Sequence, residues 1–361
     1  MTGSMYAAIA GLQTHMQKMN VIGNNIANAN TYGFKPGVTS FSESMYTSIS
    51  NSTASGTQYG GTNASQIGYG SQVASIDLNM TGGTYAPTGI NSHLYLDGNG
   101  FFLVGPKPAE ENGYEPDPNK LTLKRVGNFF LDNEGYLVDS NGYCVYGFMP
   151  QGNGNGGMAY NDDGTVKWDT CLRPIRLPVA AQSSDTAQNI KEGGAVYPTL
   201  TDNVLTWPPI NGAASDADKR VDVQSVNLSV DQNGVITAVT QGNIAVTVGV
   251  IPIGSVVNPN GLTKESDGYY TAGNNAGDVV VGTCSGTVTG ALNNVNVQDT
   301  DSIALTGAGK TKILSGGLES SKTDIATEFA DLITTQRGFQ ANTKIITVTD
   351  EMLSDLVSMK R

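Results

Sequence analysis

Large apolar side chains recur at alternating spacings of four and three residues near the amino terminus. This heptad spacing predicts an amphipathic helix with one apolar stripe. Asn and Gly residues between positions 28 and 33, followed by Pro36, predict that the helix ends there. The stripe consists of Met5, Ile9, Leu12, Met16, Met19 and Ile26, with Gly23 in the expected position before Ile26.

The last part of the chain carries a longer version of the same pattern. Residues 321–324 resemble a capping box, acidic residues lie in the early turns, and Lys360 and Arg361 close the segment, as the helix dipole favours. With a rise of 1.5 Å per residue the helix would be about 50 Å long, too long to form a compact core of its own. Its stripe consists of Ile325, Phe329, Leu332, Gln336, Phe339, Thr343, Ile346, Asp350, Leu353 and Val357.

The two stripes have two interpretations. In the simpler one, the helices pack on the central domain or pair as a two-helix hairpin within one chain. In the other, they contact helices of other copies. Gln336, Thr343 and Asp350 interrupt the stripe at regular intervals, which favours a register-setting contact over a permanent apolar core. A lone pair of such helices would also be only marginally stable in water.

The middle of the chain, from about residue 73, consists of short apolar runs separated by turns rich in Asp, Asn and Gly. Asn-Gly and Asp-Gly supply the positive φ angles of tight turns, so these units predict β-hairpins. Residues 244–253 predict a further buried strand. The predicted hairpins are 94–96 with 101–104, 128–131 with 136–138, 136–138 with 143–148, and 226–230 with 235–239. The turns lack the spacing and final Glu of a calcium loop, so turn chemistry explains them better than a metal site.

These patterns predict a mainly β fold with terminal α-helices, the outer β domain being barrel-like or sandwich-like and built from hairpins. The segment rich in Ser, Thr, Gly and Asn predicts an extended linker, and residues 181–222 predict a surface insertion or small subdomain anchored by Trp207. The predicted division is 1–33 for the first helix, 34–75 for the linker, 76–317 for the β domain and 318–361 for the second helix.

Composition and charge exclude several classes of protein. A net charge of −12 argues against a nucleic-acid partner, which requires a basic surface. Cys144, Cys171 and Cys284 are too few and too far apart to predict a zinc site or a disulfide framework. The first residues lack the basic and apolar regions of a secretory signal, and no apolar run reaches the length of a membrane span. Taken alone, these features predict a soluble cytoplasmic protein.

The residues suited to catalysis form no recognisable constellation. His15 lies in the first predicted helix and His93 begins a strand, each without a Cys or Asp partner nearby in the sequence. The Gly-rich run 152–157 lacks the following helix and Lys of a phosphate-binding loop. We therefore predict no enzyme, no cofactor, no metal ion and no small-molecule substrate.

Both ends carry motifs that resemble those of bacterial flagellar rod and hook axial proteins. Residues 21–35, with the sequence VIGNNIANANTYGFK, resemble the amino-terminal signature of that family. Residues 317–321, 328–329, 335–342 and 349–353 resemble its carboxyl-terminal helix, and 97–104 and 125–138 resemble its β segments. The residues that match the signature are Gly23, Asn24, Asn25, Ala27, Asn28, Thr31, Gly33, Phe34, Lys35, Leu318, Glu319, Gln336, Arg337, Asn342 and Asp350.

The resemblance implies a discontinuous domain in which the two terminal helices form a coiled coil lining a tube, with β domains outside. It implies a homo-oligomer of helical, tubular form, with rod, hook-cap and hook–filament junction proteins as further partners. It also implies export by the flagellar type III apparatus without a cleaved signal, hence a location in the hook or basal body outside the cell. The expected function is the flexible hook joint that transmits torque from basal body to filament. The alternatives are a distal rod subunit and, more remotely, a secreted β-rich adhesin or carbohydrate-acting protein.

Overall fold

The structure is a computed structural model that describes residues 2–56, 60–107, 118–160, 166–169, 172–182, 185, 187–201, 204–207, 220–221, 223, 228–284 and 311–359. Cys171 and much of the predicted insertion at 181–222 lie outside the described residues. The chain forms two compact units. The helical unit comprises Met1–Met80 and Ser321–Arg361, and the β-rich unit comprises Thr81–Ser320.

The helical unit contains two long helices, α1 (Thr2–Ala27) and α3 (Ile325–Met359). Asp324 caps α3, because its Oδ1 accepts a hydrogen bond from the backbone N–H of Ala326 at 3.1 Å. The predicted capping box is therefore wrong in its first residue: Ser321 accepts from the N–H of Thr323, before the helix begins.

Two antiparallel ribbons complete the helical unit. One pairs β1 (Gly37–Glu43) with β4 (Ser71–Leu78), and the other pairs β2 (Tyr46–Ser50) with β3 (Ser65–Gly68). The ribbons lie in a segment for which the sequence predicts a linker, and both expose apolar side chains. The alternation of apolar and polar residues in this segment is too weak to predict strands from the sequence. Strands form there all the same, because strand formation depends strongly on the neighbouring chain.

The β-rich unit contains short strands and one short helix, α2 (Ala187–Lys191). Among the described residues, single 3₁₀ turns occur at Pro118–Lys120, Pro259–Gly261 and Ser266–Gly268. The strands up to residue 180 are β5 (Tyr85–Pro87), β6 (His93–Asp97), β7 (Phe102–Gly105), β8 (Thr122–Lys124), β9 (Gly127–Asn128), β10 (Phe130–Leu131), β11 (Leu137–Val138), β12 (Cys144–Gly147), β13 (Arg173–Pro174) and β14 (Val179–Ala180). The later strands are β15 (Ala195–Val196), β16 (Thr199–Thr201), β17 (Val204–Thr206), β18 (Leu228–Val230), β19 (Val235–Val239), β20 (Ala245–Val250), β21 (Ile253–Ser255), β22 (Leu262–Lys264), β23 (Tyr269–Ala272), β24 (Val280–Gly282), β25 (Lys312–Ser315) and β26 (Gly317–Glu319).

The largest sheet of the described residues is open. Its strand order is β10-β11-β12-β7-β8-β23-β22, with β13 paired to β12, so β10 and β22 are its two ends. Smaller sheets of order β18-β19-β20 and β25-β6-β9 lie with it around one apolar core that includes Phe102, Val145, Ile236 and Ile313. The structure therefore confirms a mainly β fold with a helix towards each end of the chain. The predicted barrel closure is wrong, because neither sheet end meets the other.

Three of the four predicted hairpins are confirmed, since β10 pairs with β11, β11 with β12 and β18 with β19. In all three turns the last residue, Gly135, Gly142 or Gly234, has positive φ, as an Asp-x-x-Gly turn needs. The hairpin predicted for 94–96 and 101–104 is wrong: β6 pairs with β25 and β9, while β7 pairs with β8 and β12. Carbonyl groups of the intervening turn instead accept hydrogen bonds from a buried arginine, Arg125.

Candidate functional site

The paired terminal helices are the candidate site, because most of the residues singled out in the sequence lie there. Helix α1 packs against α3, and positions along the two helices run in opposite directions. Lys18 lies 3.8 Å from Asp331 through its Nζ and Oδ2 atoms, while Asn25 contacts Glu328, nearer the start of α3. The pair is therefore antiparallel.

Small and polar residues form the seam between the helices. The buried positions are Ala8, Gly11, Thr14, Ile22 and Asn25 on α1, and Thr335 and Thr349 on α3. The threonines satisfy their own hydroxyl groups: Thr335 donates to the carbonyl of Asp331 at 2.6 Å and Thr349 to that of Ile345 at 2.7 Å. Such back-bonding lets a hydroxyl face another helix without a partner from it, so backbones can approach closely with little apolar burial.

The predicted stripe of α1 lies beside this seam and not on it. The buried residues Ala8 and Gly11 each precede a stripe residue by one position, which rotates the stripe by roughly 100° from the contact. Ile9 is 38% exposed and Met16 is 50% exposed, while the other members are half-buried. Those half-buried members are Met5, Leu12, Met19 and Ile26.

The stripe of α3 divides in the same way. Three of its ten residues are half-buried, namely Leu332, Phe339 and Ile346. The other seven are exposed in the single chain, namely Ile325, Phe329, Gln336, Thr343, Asp350, Leu353 and Val357. Every described residue beyond Asp350 is exposed as well, including Met352, Leu356 and Met359. Exposed apolar side chains, interrupted by Gln336, Thr343 and Asp350, are thus left uncovered on the helix pair.

Asn25, a signature residue, joins three elements of the helical unit. Its side chain is buried, donates to the carbonyl of Gly37 at 2.9 Å and accepts from the N–H of Gly37 at 3.0 Å. It also donates to Oε1 of Glu328 at 2.9 Å. Burial is the main reason that the pKa of Glu328 lies above its usual value, although the hydrogen bond from Asn25 acts in the opposite direction. The side chain thereby holds the first ribbon and the start of α3 to α1.

Other signature residues end helix α1. Asn28 donates to the carbonyl of Asn24 at 3.0 Å and to its side-chain oxygen at 2.9 Å, and Thr31 donates to Asn28 at 3.1 Å. Gly33 then has a φ of 65°, a left-handed conformation that glycine adopts without strain. Phe34 and Lys35 are buried directly after the turn, whereas Gly23 and Ala27 are exposed on the helix. Most of the signature residues in this segment therefore serve to end helix α1.

The remaining signature residues fall in different places. Asn342 is half-buried on α3, and Gln336, Arg337 and Asp350 are exposed on the same helix. Leu318 and Glu319 belong to β26 in the β-rich unit, where both are buried.

Sequence reasoning missed the small-residue seam because it weighted large apolar side chains. Ala8, Gly11 and His15 also follow a three-and-four spacing, as do Thr335, Gly338 and Asn342. That second periodicity was the signal that could have identified the helix contact.

The described residues contain no cluster of three or more His, Cys, Asp or Glu side chains arranged to hold a metal ion. Cys144 is buried and Cys284 is partly buried, and burial raises the pKa of the Cys284 thiol to about 11. His93 accepts or donates a hydrogen bond with Thr88 at 2.9 Å, a contact within the β-rich unit. In the described part of the chain, no helix has the length and apolarity that a membrane crossing requires.

Two family models match the ends of the chain. The model described as "Flagella basal body rod protein" matches residues 5–35, and "Flagellar basal body rod FlgEFG protein C-terminal" matches residues 314–359. Together they cover both helices of the site.

Curated relatives align over the full chain. The flagellar basal-body rod protein FlgG of Bacillus subtilis is 30% identical over 362 residues, covering 100% of both chains. The flagellar hook protein FlgE of Borreliella burgdorferi is 27% identical over 477 residues, again covering 100% of both, and that of Salmonella typhimurium is 24% identical, covering 99% and 100%. Among solved structures, the Helicobacter pylori flagellar hook protein FlgE2 matches with a TM-score of 0.32 at 12% identity, over 65% of this chain and 100% of the other.

Proposed function

This chain belongs to the family of bacterial flagellar rod and hook proteins, and from that premise we propose that it is a structural subunit that polymerises into the flagellar hook. The observation that carries the proposal is the uncovered apolar surface on the paired terminal helices. Several hook proteins align with the whole chain, so the resemblance extends well beyond the terminal motifs.

The surface supports polymerisation for an energetic reason. Burying a large apolar side chain is worth roughly 1.5–3 kcal/mol, so leaving many of them in water is unfavourable for a monomer. Copies of the same chain that stack their helices would cover the exposed stripe of one subunit with that of the next. Asp350 and Gln336 within the stripe would then favour one register over others.

We further propose the arrangement typical of the family. The helices would form a coiled coil that lines a tube, with the β-rich units outside. The chain would reach the hook through the flagellar type III export apparatus without a cleaved signal, and would contact rod, hook-cap and hook–filament junction proteins. Its role there would be structural, transmitting torque to the filament, and not enzymatic.

The second candidate function is that of a distal rod subunit. A specific observation favours it: the relative named a rod protein aligns over 362 residues with this chain of 361, nearly without length difference. The hook protein of Borreliella burgdorferi needs an alignment of 477 residues. Because its length matches that of the rod protein, a distal rod subunit is the alternative function to test.

Electron microscopy of a strain deleted for this gene, beside one complemented with the full chain, separates the two functions. Cells that keep complete rods but lack hook and filament, with hooks restored by complementation, are the expected result. Loss of the distal rod together with the hook would favour the rod function. Normal flagella in the deleted strain would contradict both.

Substituting Phe329 by Asp is expected to abolish polymerisation while leaving the β-rich unit folded. Phe329 is 48% exposed in the single chain, so the substitution removes little intramolecular packing but places a charge in the proposed contact. Complementation followed by counting hooks tests the effect. The matched control is Thr334→Asp, an exposed position on α3 away from the stripe, which should still support hooks. Normal numbers of hooks with Phe329→Asp would show that the apolar stripe of α3 does not lie in the contact between subunits.

A further inference from the structure

Two contacts between α1 and α3 have the same form: a glycine of one helix lies beneath a polar side chain of the other. A Cβ atom added at Gly11 would lie 2.5 Å from Nδ2 of Asn342, and one added at Gly338 would lie 2.7 Å from Cε1 of His15. Non-bonded carbon atoms normally stay about 3.5–4.0 Å apart. Each polar side chain therefore occupies space that exists only because the opposite residue is glycine.

The two contacts are reciprocal and adjacent. Gly11 and His15 are four residues apart on α1, as Gly338 and Asn342 are on α3, so each helix offers one notch and one projecting side chain on the same face. We call these four residues the glycine lock. Because each helix both gives and receives a side chain, sliding either helix by one residue would place both projecting groups against side chains.

The fit is one of shape more than of hydrogen bonding. Nδ1 of His15 is buried and forms no hydrogen bond within the described residues. The ring is positioned by its neighbours, lying against Gly338 and edge-on to Phe41 with ring centroids 6.1 Å apart.

The other small residues of the seam specify register only weakly. Ala8, Thr335 and Thr349 are small, and the hydroxyls of the two threonines bond to their own helix. Neighbouring registers would therefore bury similar area at these three positions, whereas buried Ile22 and the hydrogen bond from Asn25 to Glu328 add to the register nearer the end of α1.

We propose that Gly11 and Gly338, through Asn342 and His15, are positioning residues that set the register of α1 against α3. The lock thereby fixes which apolar side chains remain aligned for contact with neighbouring subunits. The inference rests on the proposed function, which it deepens by naming the residues that align the subunit's contact surface.

Helix propensity alone predicts that replacing Gly11 by Ala would stabilise α1, the opposite of what the glycine lock predicts. Glycine weakens a helix interior relative to alanine, so Gly→Ala at an unconstrained position should stabilise α1. Gly3 is such a position, since an added Cβ there would meet no atom within 4 Å. Gly3→Ala is therefore the matched control for Gly11→Ala.

The test is a rescue experiment on the full chain in the deleted strain. Overpacking of this kind should reduce hooks per cell by about tenfold for Gly11→Ala, with no loss for Gly3→Ala. Removing the projecting group should undo the effect, so Gly11→Ala with Asn342→Ala should recover to the level of Asn342→Ala alone. Likewise, Gly338→Ala should reduce hooks, and Gly338→Ala with His15→Ala should recover to the level of His15→Ala alone.

A second readout does not depend on hooks. In thermal unfolding of the purified chains, followed by far-ultraviolet circular dichroism, Gly11→Ala should lower the midpoint of helix loss and Gly3→Ala should not. If the wild-type chain fails to restore hooks, the proposed function is wrong. The unfolding midpoint of Gly11→Ala still tests whether the glycine lock positions the two helices. A normal midpoint and normal hooks with Gly11→Ala, or a double variant no better than Gly11→Ala, would overturn the lock.

Discussion

Replacing Glu319 by Gln is expected to lower the free energy of unfolding of the β-rich unit by about 3–5 kcal/mol, the usual effect of breaking a buried ion pair on one side. Oε2 of Glu319 accepts from Nε of Arg125 at 2.5 Å, and both side chains are almost completely buried. The substitution would leave the guanidinium charged, buried and without its counter-ion. Urea unfolding followed by tryptophan fluorescence measures this, because Trp168 and Trp207 both lie in the β-rich unit.

The unit provides its own control for this experiment. Lys107 and Glu134 form an ion pair whose side chains are both exposed. Glu134→Gln should therefore change the free energy of unfolding by less than about 1 kcal/mol, as expected for surface pairs. Equal effects of the two substitutions would show that burial of Glu319 carries no energetic weight.

Removing both charges at the first pair should not restore stability. Arg125 also donates to the carbonyls of Leu96 at 2.9 Å, Gly98 at 2.7 Å and Gly100 at 2.6 Å. A double variant with apolar residues at 125 and 319 would leave these carbonyls without their donor, and buried unsatisfied groups are destabilising. Arg125 is thus the centre of the turn that sequence reasoning mistook for a hairpin.

The second large effect is expected at Asp139. Its carboxylate is fully buried, accepts from Nζ of Lys124 at 2.8 Å and from the hydroxyl of Tyr269 at 2.5 Å. Asp139→Asn would leave the Lys124 ammonium buried without its partner, which should lower the free energy of unfolding by about 3–5 kcal/mol. Urea unfolding monitored by tryptophan fluorescence would measure the loss.

Asp139 also predicts a pH dependence. Burial would raise the pKa of this carboxyl group, but hydrogen bonds from Lys124 and Tyr269 outweigh burial and hold the pKa below its usual value. A depressed pKa in the folded state contributes stability above the unfolded pKa of about 3.9, and that stability disappears as the pH falls through the folded pKa. The urea midpoint of the wild-type chain should therefore fall below about pH 4 more steeply than that of Asp139→Asn. Parallel pH profiles would exclude Asp139 as the source.

Sequence patterns predicted the β turns well because local chemistry decides them. The turns ending at Gly135, Gly142 and Gly234 each need a positive φ that glycine supplies, whatever the rest of the chain does. The turn at 97–100 has the same composition, yet its carbonyls bond to Arg125, which lies outside the turn itself. A distant partner overrode a local signal there, and no local pattern contains that information.

The helices illustrate a different limit. Their existence follows from periodicity, and both are present, but the face that α1 turns to α3 differs from the stripe by one residue. Large apolar residues such as Ile9 and Met16 suggested the contact, whereas Gly11 and His15 make it. Hydrophobicity identifies a surface that must be covered; close approach of two helices depends on which side chains are small. Whether the stripe itself contacts other subunits stays a prediction.

The antiparallel pairing of α1 and α3 has a consequence for how the protein is made. Helix α1 emerges from the ribosome early, but α3 emerges only after the whole β-rich unit has been synthesised. An isolated helix of the length of α1, with Gly at 3, 11 and 23, is marginal in water. During translation α1 therefore has no partner, and a nascent chain cannot present the completed helix pair. The order of synthesis therefore delays any association through the helix pair until α3 has been made.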